Sequence, residues 1–157
     1  VTLGLDVTLM FEPGRVIVGN AGVLLTRVIW VKPGVTYPYM IVDAAMNDLA
    51  RPAMYDAWHD FEAVTPTGER LIANIAGPVC ETGDTFAMGR EIDAVQSGDL
   101  AIFRTAGAYG ATMASTYNSR ALVPEVMVDG SRFALVAERV LPETLIAAEH
   151  VPDWLKD

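Results

Sequence analysis

The stretch "VLLTRVIWVKPG", Val23–Gly34, can be read two ways, and the choice decides the fold. Read with its neighbours "AG", it is an apolar run of membrane character. Arg27 breaks that run well before the roughly 18–20 residues a membrane span requires. Its β-branched residues and the Pro-Gly stop make it a strand instead. Working outward, "YPYMIVDAA" (37–45) is a second apolar strand with Asp43 near its end, and "ERLIANIAGPV" (69–79) is a third. "GDLAIFRTAGAYG" (98–110) opens on a Gly-Asp turn, carries a strand and ends in a small-residue loop. "PEVMVDGSRFALVAERV" (124–140) reads as a hairpin, because "DG" lies between two alternating runs. Helices are few and short. One is expected around Pro52, one turn in "RVIVGNAG" stopped by Gly22, and one in "LPETLIAAEH" (141–150), with Pro142 and Glu143 at its start. Many short strands between turn signals predict a mainly β barrel or sandwich.

Toward the N-terminus, "VTLGLDVTLMFE" (1–12) alternates and then runs apolar, predicting a strand that ends at Glu12 before "PG". The chain opens without an initiator Met or a basic leader and reads as the middle of a protein, so it is expected to be a segment of a longer polypeptide.

Composition narrows the function. The 157 residues suit one domain, and 52% are apolar, which predicts a face buried by another domain or subunit. Twenty acids against eleven bases give a net charge of −9, and the nine Arg and two Lys are scattered. Nucleic acid and anionic membranes are therefore not expected partners. One cysteine excludes an internal disulfide and suits a reducing cytoplasm. His59 and His150 are too far apart in sequence to suggest a metal site.

Four stretches carry candidate chemistry. In "FEPGR", Glu12 ends a strand, and Gly14 and Arg15 make either a plain turn or an anion-binding one. In "MNDLARPAMY", Arg51 and Tyr55 share a face if the segment is helical. Such a pair either holds a carboxylate or is a solvated Arg beside a half-buried Tyr. In "VCETGD", Cys80 is either a small core residue or a loop thiol able to donate a proton. In "RTAGAYGATMASTYNSR", small residues surround Tyr109, as at a tight β-corner or around a closely approached ligand.

Together, "EPGR", "NAGVLLTRV", "IVDAAMNDLARPAMYDAWH", "GPVCETGD", "GDLAIFRTAGAYG" and "YNSR" resemble the C-terminal part of the diaminopimelate decarboxylases. These are fold type III, pyridoxal-phosphate enzymes of lysine biosynthesis. The resemblance implies that residues 1–22 are the tail of an N-terminal (β/α)₈ barrel and residues 23–157 a C-terminal β-domain. It implies pyridoxal phosphate at the barrel mouth, with Glu12 facing the pyridine nitrogen and Pro13, Gly14, Arg15 and Tyr109 beside the cofactor. Arg15, Arg51, Tyr55, Glu81 and Tyr109 match substrate ligands, with Glu81 reading the distal ammonium. Cys80 matches the proton donor. The implied assembly is a cytoplasmic homodimer with shared active sites, acting on a small amino acid. Thr82 stands where the family usually has serine. The Schiff-base lysine is missing, since Lys32 and Lys156 match no such position, so the segment alone is expected to be inactive. Two alternatives stay open: a sibling enzyme for ornithine, arginine or carboxynorspermidine, and a non-catalytic assembly module.

Overall fold

The computed structural model describes Gly4 and residues 6–156. Eight strands form among the described residues: β1 (Leu24–Lys32), β2 (Tyr39–Val42), β3 (Phe61–Ala63), β4 (Arg70–Ala76), β5 (Thr85–Asp93), β6 (Leu100–Phe103), β7 (Glu125–Asp129) and β8 (Arg132–Ala137). The first six build one sheet in the order β3-β6-β1-β2-β4-β5. The Val23–Gly34 stretch thus supplies a central strand, antiparallel to β2 on one side and to β6 on the other. Along it Thr26 and Val28 point into the core while Leu25, Arg27 and Ile29 point out, the two-residue alternation of a half-buried strand. β2 and β4 run parallel, the single such pair among the described residues.

The sheet curls until its edges meet. Ala63 of edge strand β3 donates its N–H to Asp93 of the opposite edge strand β5 at 2.9 Å. This nearly closed, barrel-like arrangement leaves little edge free for pairing with another chain. Phe103 sits fully buried at its centre, 5.2 Å from the Phe61 ring and 4.4 Å from the Phe86 ring, among Val28, Met40, Val42, Ile75 and Ile92. The expected hairpin forms as β7 and β8, turning at Gly130 with φ near +59°, but as a separate two-stranded sheet.

Two short helices appear where expected, α1 (Arg51–Tyr55) and α2 (Pro142–Ile146), each with proline in its first turn. The turn in "RVIVGNAG" becomes a 3-10 helix over Gly19–Ala21, and the chain turns extended at Gly22. The strand expected to end at Glu12 is not formed where the structure describes it. Residues 6–14 have no regular structure and are exposed. A strand needs a neighbour for its backbone ladder, and none of the described strands pairs with this stretch. The start of that expected strand, at residues 1–3 and Leu5, lies outside the described residues. No helix among the described residues is long and apolar enough to cross a membrane.

Candidate functional site

The candidate residues gather in two groups. The first is assembled from three segments. The loop after β6 is fastened to the 15–22 segment by two backbone bonds, Ala106 N–H to Gly22 at 2.9 Å and Gly107 N–H to Gly19 at 3.0 Å. This brings Tyr109 beside Gly14: a side chain at Gly14 would begin 3.1 Å from the Tyr109 hydroxyl. Tyr109 itself adopts φ near +59°. A bulky aromatic in that left-handed region costs about 1–3 kcal/mol, which the contacts that hold the loop offset.

From the third segment, α1 contributes Arg51. Its guanidinium lies 5.5 Å from the ring centres of both Tyr55 and Tyr109. The helical spacing read from "RPAMY" is therefore realised. The Arg51 Nε is buried and has no hydrogen-bond partner within the described chain. A buried donor left unpaired is an opening for an anionic group.

Beneath this group lies His59, only 2% exposed. Burial holds its pKa below the ordinary histidine value. The hydrogen bond to the Arg104 carbonyl opposes that, while Arg15, Arg51 and Arg90 push the same way as burial. The ring is thus neutral at neutral pH. Its Nδ1 lies 2.8 Å from the Arg104 carbonyl and carries the proton, leaving Nε2 as a buried acceptor without a partner among the described residues. Arg90 clamps the same turn from the other side, stacking 3.6 Å above the Trp58 ring and donating to the His59 carbonyl at 2.6 Å.

The second group is the loop joining β4 to β5, "GPVCETGD". Cys80 and Glu81 are exposed on it. The side chain that builds the loop is Asp84, 3% exposed. Its Oδ2 accepts the Val79 N–H at 2.7 Å and its Oδ1 accepts the Met46 N–H at 2.6 Å. Its main chain closes the loop by bonding Gly77 N–H at 2.9 Å and Glu81 C=O at 3.0 Å. Burial raises the Asp84 pKa, and the two N–H donors and the charge of Arg120 counter it. Gly77 faces this carboxylate so closely that any Cβ there would overlap both of its oxygens. Glu81 is partly oriented as well, its Oε1 accepting the Gly83 N–H at 3.1 Å.

Gly14, Arg15, Arg51, Tyr55 and Tyr109 therefore form a cationic, hydroxyl-bearing surface, and Cys80 and Glu81 form an acidic, thiol-bearing one. Among the described residues no hydrogen bond or ion pair joins the two groups. Glu12 and Pro13 lie exposed in the irregular 6–14 segment, next to Gly14 in the chain. A depression of about 360 Å³ runs between α1 and Thr82–Gly83, but none of the candidate residues lines it. Asp84, Gly77 and His59 escaped the sequence reading. The only hint was that Gly77 and Asp84 bracket the thiol loop.

The donor set fits an anionic group such as the phosphate of pyridoxal phosphate. A phosphate or carboxylate anion there would find the Tyr109 hydroxyl, the Arg51 guanidinium and a glycine that leaves the backbone approachable.

Known proteins resemble this chain over nearly its whole length. Residues 15–107 match the family model described as "Pyridoxal-dependent decarboxylase, C-terminal sheet domain". The chain is 54% identical over 155 residues to a diaminopimelate decarboxylase of Zymomonas mobilis, covering 99% of this chain and 37% of that protein. It is 54% identical over 142 residues to one of Neisseria meningitidis, covering 90% of this chain and 35% of that protein. A crystal structure of the diaminopimelate decarboxylase from "m. jannaschii in co-complex with L-lysine" superposes with a TM-score of 0.87 at 39% identity, covering 92% of this chain and 33% of that one. The chain thus spans about a third of the length of the relatives it matches. With more than half of its residues inside the family model, the chain belongs to the C-terminal sheet domains of the pyridoxal-dependent decarboxylases.

Proposed function

We propose that this chain is the sheet-domain part of a carboxy-lyase of lysine biosynthesis that converts meso-2,6-diaminopimelate to L-lysine and CO₂. The observation that carries the reading is the presence on one domain of two groups of opposite character: Arg51 between Tyr55 and Tyr109, and Cys80 with Glu81 on the Asp84 loop. An α-amino-acid head presents one carboxylate and one ammonium. Arg15, Arg51 and Tyr55 bind the carboxylate, and Glu81 binds the ammonium. Ornithine and arginine carry no second amino-acid head, so they leave this clamp half used. A scaffold module would have no use for a buried carboxylate that shapes a loop around an exposed thiol.

Pyridoxal phosphate, when bound, withdraws electrons from the carbon that loses CO₂. Pro13, Gly14, Arg15 and Tyr109 would hold it, and the Glu12 carboxylate would favour the protonated form of its pyridine nitrogen. Cys80 Sγ–H delivers a proton to the carbon left by CO₂, which fixes where the new C–H bond forms. In this reading residues 1–22 complete a (β/α)₈ barrel and residues 23–157 form the β-domain. The barrel supplies the lysine that anchors the cofactor. Lys32 lies over Trp30 on β1 and Lys156 bonds Asp153, so both are engaged elsewhere. The enzyme is a cytoplasmic homodimer in which the Cys80 loop serves the partner's site, while Tyr109, beside Gly14 and Arg51, serves the site of its own chain.

Incubating the complete enzyme with meso-diaminopimelate, ornithine, arginine and carboxynorspermidine and measuring CO₂ release tests the assignment. Turnover is expected on meso-diaminopimelate, with kcat/KM lower by about 10⁴-fold on the others, since a site built for a polar head rejects analogues lacking it. Preference for ornithine or arginine would refute it.

A further inference from the structure

The "YNSR" stretch, Tyr117–Arg120, takes no part in the mechanism above, yet the structure spends several unusual features on it. Asn118 and Ser119 adopt φ of +58° and +55°, two successive non-glycine residues in the left-handed region. Asn47, 1% exposed, holds this loop from below. Its Nδ2 donates to the carbonyls of Ser115 at 3.0 Å and Tyr117 at 2.8 Å, and its own carbonyl accepts the Ser115 N–H at 3.0 Å. Arg120 fastens the far end, donating to the Asp43 carbonyl at 2.9 Å and lying 3.6 Å from the buried Asp48 carboxylate.

These contacts set the position of one exposed side chain. Tyr117 directs its hydroxyl at Glu81 and donates to Oε2 at 3.3 Å, across 36 residues of sequence. With Oε1 accepting the Gly83 N–H, both oxygens of Glu81 are engaged. The two loops also share an anchor. Met46 bonds Asp84 of the Cys80 loop, and Asn47, the next residue, bonds the Tyr117 loop. One short segment therefore registers donor and acceptor against each other.

We infer that Tyr117 is a specificity-determining positioning residue, orienting the Glu81 carboxylate so that it meets the distal ammonium of a diamino-dicarboxylic acid. The inference rests on the assignment of Glu81 as the ammonium ligand. Tyr117 carries no proton to the reacting carbon. It holds Glu81 in one orientation and supports its negative charge through a hydrogen bond, while the carboxylate's remaining lone pairs stay free for the substrate. Losing it leaves Glu81 charged but free to turn, which weakens binding of the substrate's far end and leaves the chemical step untouched.

The test is a double-mutant cycle of Tyr117→Phe and Glu81→Gln in the complete enzyme, read as kcat and KM separately for meso-diaminopimelate. Tyr117→Phe keeps the ring on an exposed loop and is expected to raise KM about fivefold with kcat unchanged, the size of one partly solvated hydrogen bond to a charged group. Glu81→Gln is expected to raise KM more. Adding Tyr117→Phe to it is expected to change nothing further, because the hydroxyl then has no charge to orient. The inference is overturned if Tyr117→Phe leaves KM unchanged while Glu81→Gln raises it, or if the two effects multiply independently. If Glu81→Gln leaves KM unchanged, the assignment of Glu81 itself fails and the inference falls with it.

Discussion

Replacing Cys80 by alanine in the complete enzyme is expected to slow lysine formation by about 10²–10³-fold, the range in which a positioned proton donor contributes. The expectation follows from where the thiol sits. It lies exposed on a loop whose shape is set by a buried carboxylate rather than by the thiol itself. Alanine therefore removes the proton source without disturbing the loop. Cys80 is not among the residues proposed to hold the cofactor, so pyridoxal phosphate content is expected to stay at the wild-type level. Lysine binding is expected to stay unchanged as well, since the carboxylate and ammonium ligands lie elsewhere. Serine at this position restores the shape but is a far weaker acid, and the rate is expected to remain low. Single-turnover kinetics with a parallel cofactor assay separates the two quantities. Wild-type turnover in Cys80→Ala would remove the thiol from the mechanism.

The second large effect is expected at a residue with no chemistry. Gly77→Ala should destabilise the protein by about 3 kcal/mol, combining an overpacked site with the loss of hydrogen bonds to a buried charge. The methyl would occupy the space of the Asp84 carboxylate, which already holds Val79 and Met46. To relieve the overlap the carboxylate must move, and the Cys80 loop moves with it. A shift of about 1 Å at the thiol is enough to lower the rate about 100-fold. The collision, not any backbone preference, causes the effect. In an Asp84→Ala background the methyl finds room, so Gly77→Ala is expected to add less than about 1 kcal/mol there. Denaturant unfolding of the wild type, both single variants and the double variant measures this coupling. Additive costs would show that Gly77 and Asp84 do not share the space the structure gives them.

Much of this molecule was legible in its sequence, and the reasons are local. β1 announced itself through β-branched residues and a Pro-Gly stop, the β7–β8 hairpin through Asp129-Gly130, and α1 through a proline that suits a first helical turn. Two strands were not read. β3 is three residues long, too short to show a period, and it exists because β6 and Asp93 receive it. β5 follows the thiol loop directly, and Gly89 and the charges of "GREID" masked its alternation. The residues before Glu12 show the opposite failure. Their alternation favours a strand, but a strand forms only where a neighbour completes its ladder. The candidate site divides in the same way. Cys80, Arg51 and Tyr109 were picked out because thiols, guanidiniums and aromatics are conspicuous. Asp84, Asn47 and Tyr117 were not, because an Asp in "TGD" or an Asn in "MND" looks like an ordinary turn residue. Whether such a side chain points inward to bind backbone N–H groups depends on contacts 38 to 70 residues away, which no local pattern encodes.

The most direct test of the account is a crystal structure of the complete enzyme with pyridoxal phosphate and L-lysine bound. Lysine retains the amino-acid head that the reaction leaves intact. Its carboxylate is expected against Arg15, Arg51 and Tyr55, its α-ammonium against Glu81, and its far amino end toward the cofactor within reach of Cys80. A lysine bound away from Arg51 and Glu81, with the Cys80 loop turned from the cofactor, would contradict it.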